Sequence, residues 1–387
     1  MLVPVTVLVH EEFFMSQKLQ SAAPAPFDKG IIRLAYVGCG FMAQNVHLPN
    51  FSSLSDCTLV ALAEKRAELA RKVAERFSVA KVYQDHRELL GDTRIDAVGL
   101  SADYAQQGEI AADLLRAGKH VFMEKPMAVS VQQAERILRA AEEGSSRLMV
   151  GYMKRYDPGN RLVREVIRKW RKEPPKGKLL FARSHGFCGD WLAELDKTQM
   201  IQTDEPIKAT SPDELLPAWL PVKYRDSYIA YLQQYTHNVN LLRFFLDIRR
   251  REEIAIRNVD LESDDYTGIV TLRLGDVRCV IESGRTKFHS WEEHTQIYFE
   301  GGWIHVWPKG LFVKPQYSHV ELYEGGETAS YQYPVPKASA LWHYREEAAH
   351  FLSCLKNGVP FESSGEDALL DVWVFEEIYK RHTGITP

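Results

Sequence analysis

The stretch that decides the fold is IIRLAYVGCGFMA, residues 31–43, where an apolar run leads directly into a glycine-rich turn. Residues 31–37 have the length and composition of a buried strand. Gly38 permits a tight turn from strand to helix, Gly40 lets the backbone approach a pyrophosphate, and Ala43 still allows close helix–strand packing. Because phosphates are favoured at the positive end of the following helix, the stretch predicts a dinucleotide-binding turn.

The same strand–turn–helix pattern repeats through the first 150 residues. Apolar runs alternate with helical periodicity, and a capping-box pattern from Ser130 to Gln133 precedes one predicted helix. Since parallel neighbours need a helical crossover between them, this alternation predicts a doubly wound α/β domain with a parallel sheet. The predicted strands are residues 31–37, 58–63, 81–83, 97–101, 120–123 and 148–151, and the predicted helices include 67–77, 106–117 and 134–143.

The chain beyond residue 152 has a different pattern. Gly275-Asp276 and Gly301-Gly302 each separate two runs of alternating polarity, which predicts hairpins. The tail contains two predicted helices, at 340–355 and 366–381. We therefore expect three parts: a flexible extension at 1–29, a dinucleotide-binding domain at 30–152, and an α+β domain at 153–387 with a large, mostly antiparallel sheet, whose C-terminal helices can pack back on the first domain.

Composition excludes several classes of protein. The 387 residues are 45% hydrophobic and 26% charged, which is typical of a soluble globular protein and opposes extensive disorder. A net charge of −4 provides no electrostatic footprint for nucleic acid or an anionic membrane. No apolar stretch approaches the ~20 residues needed to span a bilayer.

Cysteines and histidines show no pattern typical of a metal site. The five cysteines are scattered without a Cys-x-x-Cys pair, which opposes a disulfide framework and a structural zinc site and favours a cytoplasmic location. His289, His294 and His305 do not have ligand spacing, so no metal is expected.

Charged residues follow two of the predicted strands. Glu64 comes directly after the second strand, where a carboxylate can accept hydrogen bonds from a ribose 2′-hydroxyl and repel a 2′-phosphate. That position favours NAD, whereas Lys65 and Arg66 leave NADP as the alternative. Glu124 and Lys125 follow the strand at 120–123, at the edge of the sheet where ligands bind, although a strand-end Lys-Pro can also be a simple turn.

Taken together, these motifs resemble the Gfo/Idh/MocA oxidoreductase family, which includes glucose–fructose oxidoreductase and inositol dehydrogenase. The resemblance implies a Rossmann domain followed by a sheet-containing α+β domain, an NAD or NADP cofactor, and a sugar, cyclitol or related polyol as substrate. It also implies a homo-oligomer formed through the large sheet. The motifs that carry it are Gly38-x-Gly40-x-x-Ala43, the strand 95–98, Ala-Gly-Lys-His-Val at 117–121, Glu124-Lys125-Pro126 and Gly-Tyr-Met-Lys-Arg-Tyr at 151–156.

The family resemblance also assigns site residues. The cofactor-binding set is Gly38, Gly40, Phe41, Met42, Ala43, Glu64, Ser101, Ala102, Glu124 and Lys125, and the substrate-binding set is Lys125, Arg155, Tyr156, Gln233 and His237. Relatives carry an aspartate and a histidine four residues apart on a helix of the second domain, so that both lie on one face. His237 matches the histidine, but Gln233 replaces the aspartate and cannot accept a proton.

The expected catalytic residues are therefore Lys125, His237 and Gln233, with Tyr231 or Tyr235 as further acid–base candidates. An ordinary lysine has a pKa near 10.4 and is a poor base, but burial beneath substrate and cofactor lowers that pKa. We expect an NAD(P)-dependent dehydrogenase or reductase acting on CH–OH groups. The alternatives are a non-catalytic dinucleotide- or sugar-binding regulator of the same fold, which the missing aspartate favours, and an enzyme that retains and recycles its cofactor.

Between residues 189 and 225, Trp191 and Trp219 are candidates for stacking on a sugar ring. Packing in the protein interior is the alternative role for both.

Overall fold

The computed structural model describes residues 30–173, 176–190, 192, 200–206, 216–287, 291–312, 314, 317–337 and 341–385. The expected flexible extension at 1–29 and the candidate pocket residue Trp191 lie outside these ranges. Two sheets organise the described residues, one in each half of the chain.

The first sheet contains six parallel strands in the order β3-β2-β1-β4-β5-β6. The predicted doubly wound α/β architecture is thus confirmed. The order reverses between β1 and β4, which creates the crevice where such sheets bind ligands. The strands are β1 (Ile32–Val37), β2 (Cys57–Ala63), β3 (Lys81–Tyr83), β4 (Ala97–Leu100), β5 (His120–Glu124) and β6 (Leu148–Gly151).

Nine α-helices cover the sheets in the described part of the chain. The first is preceded by a π-helical segment, Ala43–His47, which continues into it. The helices are α1 (Leu48–Ser52), α2 (Ala67–Arg76), α3 (Arg87–Leu90), α4 (Tyr104–Arg116), α5 (Val131–Glu143), α6 (Pro158–Trp170), α7 (Arg225–Leu246), α8 (His343–Asn357) and α9 (Gly365–Thr383).

Polar caps determine where α4 and α5 begin. The Asp103 carboxylate accepts a hydrogen bond from the Ala105 N–H, so α4 begins two residues before the predicted position. Ser130 caps α5 as the sequence predicts, since its hydroxyl accepts from the Gln133 N–H at 3.1 Å. The Gln133 side chain accepts from the Val129 N–H, which replaces the reciprocal bond of a full capping box.

The second sheet has eight strands in the order β14-β13-β12-β11-β7-β10-β9-β8, and the β7–β10 pair is parallel. The other pairs are antiparallel, which confirms the predicted α+β class. The strands are β7 (Leu179–Cys188), β8 (Ile254–Leu261), β9 (Gly268–Leu274), β10 (Val277–Arg285), β11 (Glu292–Phe299), β12 (Gly302–Trp307), β13 (His319–Glu324) and β14 (Ser330–Gln332).

One predicted hairpin is confirmed and the other is displaced by one residue. Leu274 pairs with Val277 around Gly275-Asp276, as expected. In the second hairpin Phe299 pairs with Gly302, so the turn residues are 300 and 301 and Gly302 belongs to β12. A Cβ on Gly302 would lie 2.3 Å from the Tyr323 carbonyl oxygen, so the close approach of β13 explains the glycine.

Buried contacts join the two halves of the molecule. Helix α7 packs on β7 and β10 and against α9, and Arg243 of α7 forms buried ion pairs with Asp367 and Asp371 of α9. Helix α9 also packs on α5, where the Val131 N–H donates to Glu376. The C-terminal helices therefore contact the first domain. Among the described residues, no helix combines the length and apolar character needed to cross a bilayer.

Candidate active site

A cavity of ≈ 660 Å³ lies above the crevice between β1 and β4 and extends to α7. This volume is within the range of small-molecule sites. Its walls come from the loops after β1, β2, β4 and β5, from α7 and from Trp291 just before β11. Both halves of the molecule thus contribute to one site, because the carboxyl ends of the parallel strands face the second domain.

The turn after β1 has the geometry that a dinucleotide requires. Gly38 has φ of +90°, and a Cβ there would lie 2.1 Å from the Ser101 carbonyl oxygen, so only glycine fits. A Cβ on Gly40 would meet no atom within 4 Å, which leaves open space above the turn. Phe41 and Met42 also line the cavity. These residues fit a nicotinamide dinucleotide, whose pyrophosphate would lie against the exposed backbone.

The acidic residue after β2 is held in place by its neighbours. The Glu64 carboxylate accepts hydrogen bonds from the Cys39 N–H at 2.8 Å and from two nitrogens of the Arg66 guanidinium at 2.8 and 3.0 Å. Burial alone would raise the pKa of Glu64, but these hydrogen bonds outweigh burial and lower it. Glu64, Lys65 and Arg66 all line the cavity, so a carboxylate and two cations face the expected ribose position.

Hydrogen bonds of two polar side chains, Glu124 and Gln107, hold the carboxyl end of β5 in place. Glu124 is bonded to His47 Nε2 at 2.8 Å through one oxygen and accepts from the Lys125 N–H at 3.0 Å through the other. Gln107 donates to the Glu124 carbonyl at 2.7 Å and accepts from the Ala102 N–H at 3.3 Å. The loops after β4 and β5 are thereby linked.

Lys125 reaches across the cavity to the second domain. Its Nζ donates to the Gln233 carbonyl oxygen of α7 at 3.1 Å. Burial lowers the pKa of Lys125 from 10.5 to about 8; the charge of Lys154 lowers it further, while Glu124 acts in the opposite direction. A substantial fraction of this amine is therefore neutral near pH 8.

Two residues of α7, one turn apart, face Lys125 across the cavity. Gln233 and His237 both line the wall, and Tyr104 from the start of α4 forms a side-chain hydrogen bond with Gln233. Burial, followed by the charges of Lys125 and Lys154, lowers the pKa of His237 well below 6.5. The imidazole is therefore neutral at neutral pH and offers one donor and one acceptor.

A buried ion pair lies behind this wall. Lys154 bonds both carboxylate oxygens of Glu293, and its ammonium lies 4.7 Å from the centre of the Trp291 ring. Trp291 in turn packs near His237, with ring centroids 6.1 Å apart. The pair is neutral as a whole, but the Lys154 ammonium is close enough to lower the pKa values of Lys125 and His237, and neither member of the pair lines the cavity.

Most of the expected site residues meet in this cavity. Arg155, Tyr156 and Ala43 do not line it. Arg155 is buried in an ion pair with Asp367, and Tyr156 is bonded to Ser363, because the segment at 153–156 packs against the C-terminal helices. Ala43 is fully buried, so it allows close packing rather than ligand contact. The residues that line the cavity are Gly38, Gly40, Phe41, Met42, Glu64, Ser101, Ala102, Glu124, Lys125, Gln233 and His237.

Three aromatic residues that the sequence offers as candidates for the site pack within the second domain instead of lining the cavity. Trp219 packs against the core of the second domain and donates its indole N–H to Glu376 at 3.1 Å. The Tyr235 hydroxyl donates to the Gly186 carbonyl and accepts from the Gly284 N–H, and Tyr231 is buried beside it. None of the three is among the residues that line the cavity.

Sequence reasoning missed His47, Tyr104 and Trp291. His47 lies in the π-helical segment before α1 and is bonded to Glu124 at the end of β5, and its residue type close after the glycine turn was the one local signal. Tyr104 and Trp291 had no local motif, and their place in the site depends on where the second domain packs.

Comparisons with known proteins agree with this geometry. The Gfo/Idh/MocA family model, described as "Oxidoreductase family, NAD-binding Rossmann fold", matches residues 32–152. Myo-inositol 2-dehydrogenase from Thermotoga maritima is 23% identical over 348 residues, which cover 87% of this chain and 92% of that protein. Inositol 2-dehydrogenase from Salmonella typhimurium is 28% identical over 139 residues, 35% of this chain and 41% of that protein.

A solved structure has the same fold over nearly the whole chain. The 3-ketoreductase from Actinomadura kijaniata, solved with NADP and TDP-benzene, superposes with a TM-score of 0.66 at 19% identity, covering 90% of this chain and 97% of that one. The glycine turn, the Glu-Lys-Pro strand end and the matched segment lead to one conclusion: residues 32–152 form an NAD-binding Rossmann domain of the Gfo/Idh/MocA oxidoreductase type.

Proposed function

We propose that this protein interconverts a secondary alcohol and a carbonyl on a sugar, cyclitol or related polyol, with Lys125 as acid and base. The observation that carries the proposal is the position of the Lys125 amine. It faces the same cavity as the glycine turn and has a pKa lowered to about 8. The names of relatives that act on inositol support the substrate class.

Each side chain has a task that its chemistry permits. When a nicotinamide dinucleotide is bound, it supplies the exchange of two electrons and one hydrogen with the substrate carbon. Lys125 takes up the hydroxyl proton during oxidation and returns it to the carbonyl oxygen during reduction. At pH 7 about 10% of an amine with a pKa of 8 is neutral, compared with about 0.04% at an ordinary lysine pKa.

Gln233 and His237 orient the substrate in this proposal. The Gln233 amide donates or accepts hydrogen bonds without changing charge, and the neutral His237 holds a second hydroxyl through one nitrogen. Because neither residue carries charge at neutral pH, the proton change during turnover falls on Lys125. Gln233 therefore replaces the usual aspartate in positioning but not in proton transfer.

NAD is the proposed preferred dinucleotide. Glu64, which accepts hydrogen bonds and carries negative charge, favours a free 2′-hydroxyl. The Arg66 Nε lies 2.8 Å from a Glu64 carboxylate oxygen and partly neutralises its charge, so NADP binding is reduced rather than abolished.

A panel of cyclitols and aldoses tests the proposal, with reduction of either dinucleotide followed by absorbance. We expect turnover with at least one polyol, its near-complete loss in Lys125→Met, and retained dinucleotide binding by fluorescence titration. Lys172→Met, an exposed lysine on the same chain, is the control that should match the parent protein. Stoichiometric dinucleotide binding with no turnover across the panel would instead favour a regulatory binding protein, which the glutamine at position 233 makes the second candidate.

We also propose that copies of the chain associate through the outward face of the second sheet. A row of aromatic side chains crosses five neighbouring strands there in register: Phe181, Tyr298, Trp303, Tyr323 and Tyr331. Tyr331 is 63% exposed, so this row presents apolar area for a partner. Sedimentation velocity should give a dimer or larger species, and a monomer at micromolar concentration would contradict the proposal.

A further inference from the structure

Two histidines and a glutamate meet on the outward face of the second sheet, away from the cavity. They are His185 of β7 and Glu292 and His294 of β11. Each offers one ligand atom, and these atoms all lie within 4.8 Å of one another. His185 and His294 are directly opposite in the antiparallel pair, and their rings stack with centroids 4.8 Å apart. The cluster therefore depends on strand register rather than on flexible loops.

The Glu292 carboxylate joins the two imidazoles. One oxygen lies 2.6 Å from His185 Nε2 and the other 2.9 Å from His294 Nδ1. Both imidazoles are half-buried, with side chains 18% and 14% exposed, whereas Glu292 is 54% exposed. The ligand atoms thus lie where an ion can reach them from solvent, four positions along β7 and β11 from the aromatic pair Phe181 and Tyr298 of the proposed interface.

A second carboxylate supports the cluster from behind. Glu282 of β10 lies 2.6 Å from His185 Nδ1, the nitrogen that faces away from Glu292. Arg183 holds Glu282 in turn through a contact of 2.7 Å. Metal-binding histidines usually donate their second N–H to a carboxylate, which fixes the ring and directs the other nitrogen toward the metal. Glu282, His185 and the position between the three ligand atoms have this arrangement.

Charge and geometry both suit a divalent cation. Two carboxylates and one guanidinium give the cluster a net negative charge when the imidazoles are neutral. Zinc binds histidine nitrogen and carboxylate oxygen at about 2.0–2.2 Å, so tetrahedral ligand atoms lie roughly 3.3 Å apart. The separations of 2.6 and 2.9 Å between Glu292 and the histidines need to open by less than 1 Å, which rotation of the exposed Glu292 side chain supplies. The two histidine nitrogens lie within 4.8 Å of each other and need to close by at most about 1.5 Å, which rotation of the two rings supplies.

We propose that His185, Glu292 and His294 form a zinc-type divalent metal site that clips β7 to β11 on the outward face of the sheet. Three protein ligands leave a fourth position for water or another donor. The site is separate from the catalytic cavity, because neighbouring residues of β11 alternate between the two faces of the sheet and Glu293 points inward to Lys154. Carboxylate and imidazole donors without cysteine also admit nickel or cobalt.

Calorimetric titration of chelator-treated full-length protein with zinc chloride tests the site. We expect saturable binding of one zinc ion per chain at this cluster, with about 100-fold weaker affinity in His185→Gln and in His294→Gln. Glu282→Gln, which removes only the outer carboxylate, should weaken binding about tenfold. His319→Gln is the matched control, since His319 lies on the same face and pairs with Glu321 outside the cluster.

A second measurement guards against misfolded variants. Glu292→Gln changes an exposed side chain and should fold normally by circular dichroism while losing the zinc ion. Cobalt added to the parent protein should give the intense visible bands of a tetrahedral ion, and these should be absent in Glu292→Gln. No saturable zinc binding, or binding that the His185, His294 and Glu292 variants leave unchanged, would show that the cluster is an ion-pair network only and overturn the proposal.

Discussion

The lysine that the proposed chemistry requires is expected to make the protein less stable. Burial places the Lys125 amine where its charged form is poorly solvated, and its pKa falls from 10.5 to about 8. At 1.36 kcal/mol per pH unit, this difference corresponds to an upper limit of about 3 kcal/mol against folding at neutral pH. Because the amine faces an open cavity, solvent screens part of that cost. We therefore expect Lys125→Met to stabilise the protein by about 1–2 kcal/mol at pH 7.

The pH dependence of this gain has a definite sign. Below pH 8 the lysine is charged in both the folded and the unfolded chain, so the full cost is present. Between pH 8 and 10.5 the unfolded chain binds more protons than the folded one, and the stability of the parent protein rises with pH. The gain from methionine should accordingly shrink above pH 8 and vanish above about pH 10.5.

Urea unfolding of both proteins at about pH 7 and about pH 9.5 measures this difference, provided that the transitions are two-state. We expect the gain at the higher pH to be less than half of the gain at the lower one. Lys172→Met should change the free energy of unfolding by less than about 0.5 kcal/mol at either pH, because its side chain is exposed. If Lys125→Met is neutral or destabilising at pH 7, or if its gain does not depend on pH, the lowered pKa is refuted.

Three further predictions follow from single contacts. Gly38→Ala should lower the free energy of unfolding by about 1–3 kcal/mol, because its φ of +90° and the nearby Ser101 carbonyl exclude a side chain. Gly40→Ala should fold normally but bind the dinucleotide more weakly. Equal losses of stability for the two variants in urea titrations would contradict this difference between the two glycines. Arg243→Met leaves the buried Asp371 without its cation and leaves Asp367 with Arg155 alone, which should cost about 3–5 kcal/mol, so a loss below about 1 kcal/mol would count against the ion pairs. Arg66→Ala should weaken NADP binding about tenfold and NAD binding by less than about threefold in fluorescence titrations, because only the 2′-phosphate loses a charged partner. An equal loss for both dinucleotides would show that Arg66 does not contact the 2′-phosphate.

Local signals predicted the first domain well. Its strands alternate with helices at close range, so that apolar runs, the glycine turn and the Ser130 cap each indicate their own element. The cavity wall formed by the strand ends, where we propose that the cofactor binds, could be anticipated for the same reason. Parallel strands end at one edge of the sheet, and residues that follow those strands, such as Glu64 and Lys125, must meet there.

The opposite wall, where we propose that the substrate binds, could be assigned only in part. The spacing of Gln233 and His237 places both on one helical face, but nothing local shows which buried polar residues face the cavity and which join the two domains. Arg155 and Tyr156 carry a motif of the family and nonetheless contact the C-terminal helices, because α8 and α9 return across the first domain. Long-range packing of this kind leaves no periodic signal.

By itself, the sequence determined the doubly wound sheet, the dinucleotide turn and the lysine at the strand end, because each depends on neighbours along the chain. Tertiary structure alone decided that Tyr104 and Trp291 join the cavity, and that burial lowers the pKa of Lys125. It also decided that His185 meets His294, since strand register brings together side chains more than a hundred positions apart. Solvation and distance in space set these properties, and neither can be read from the order of residues.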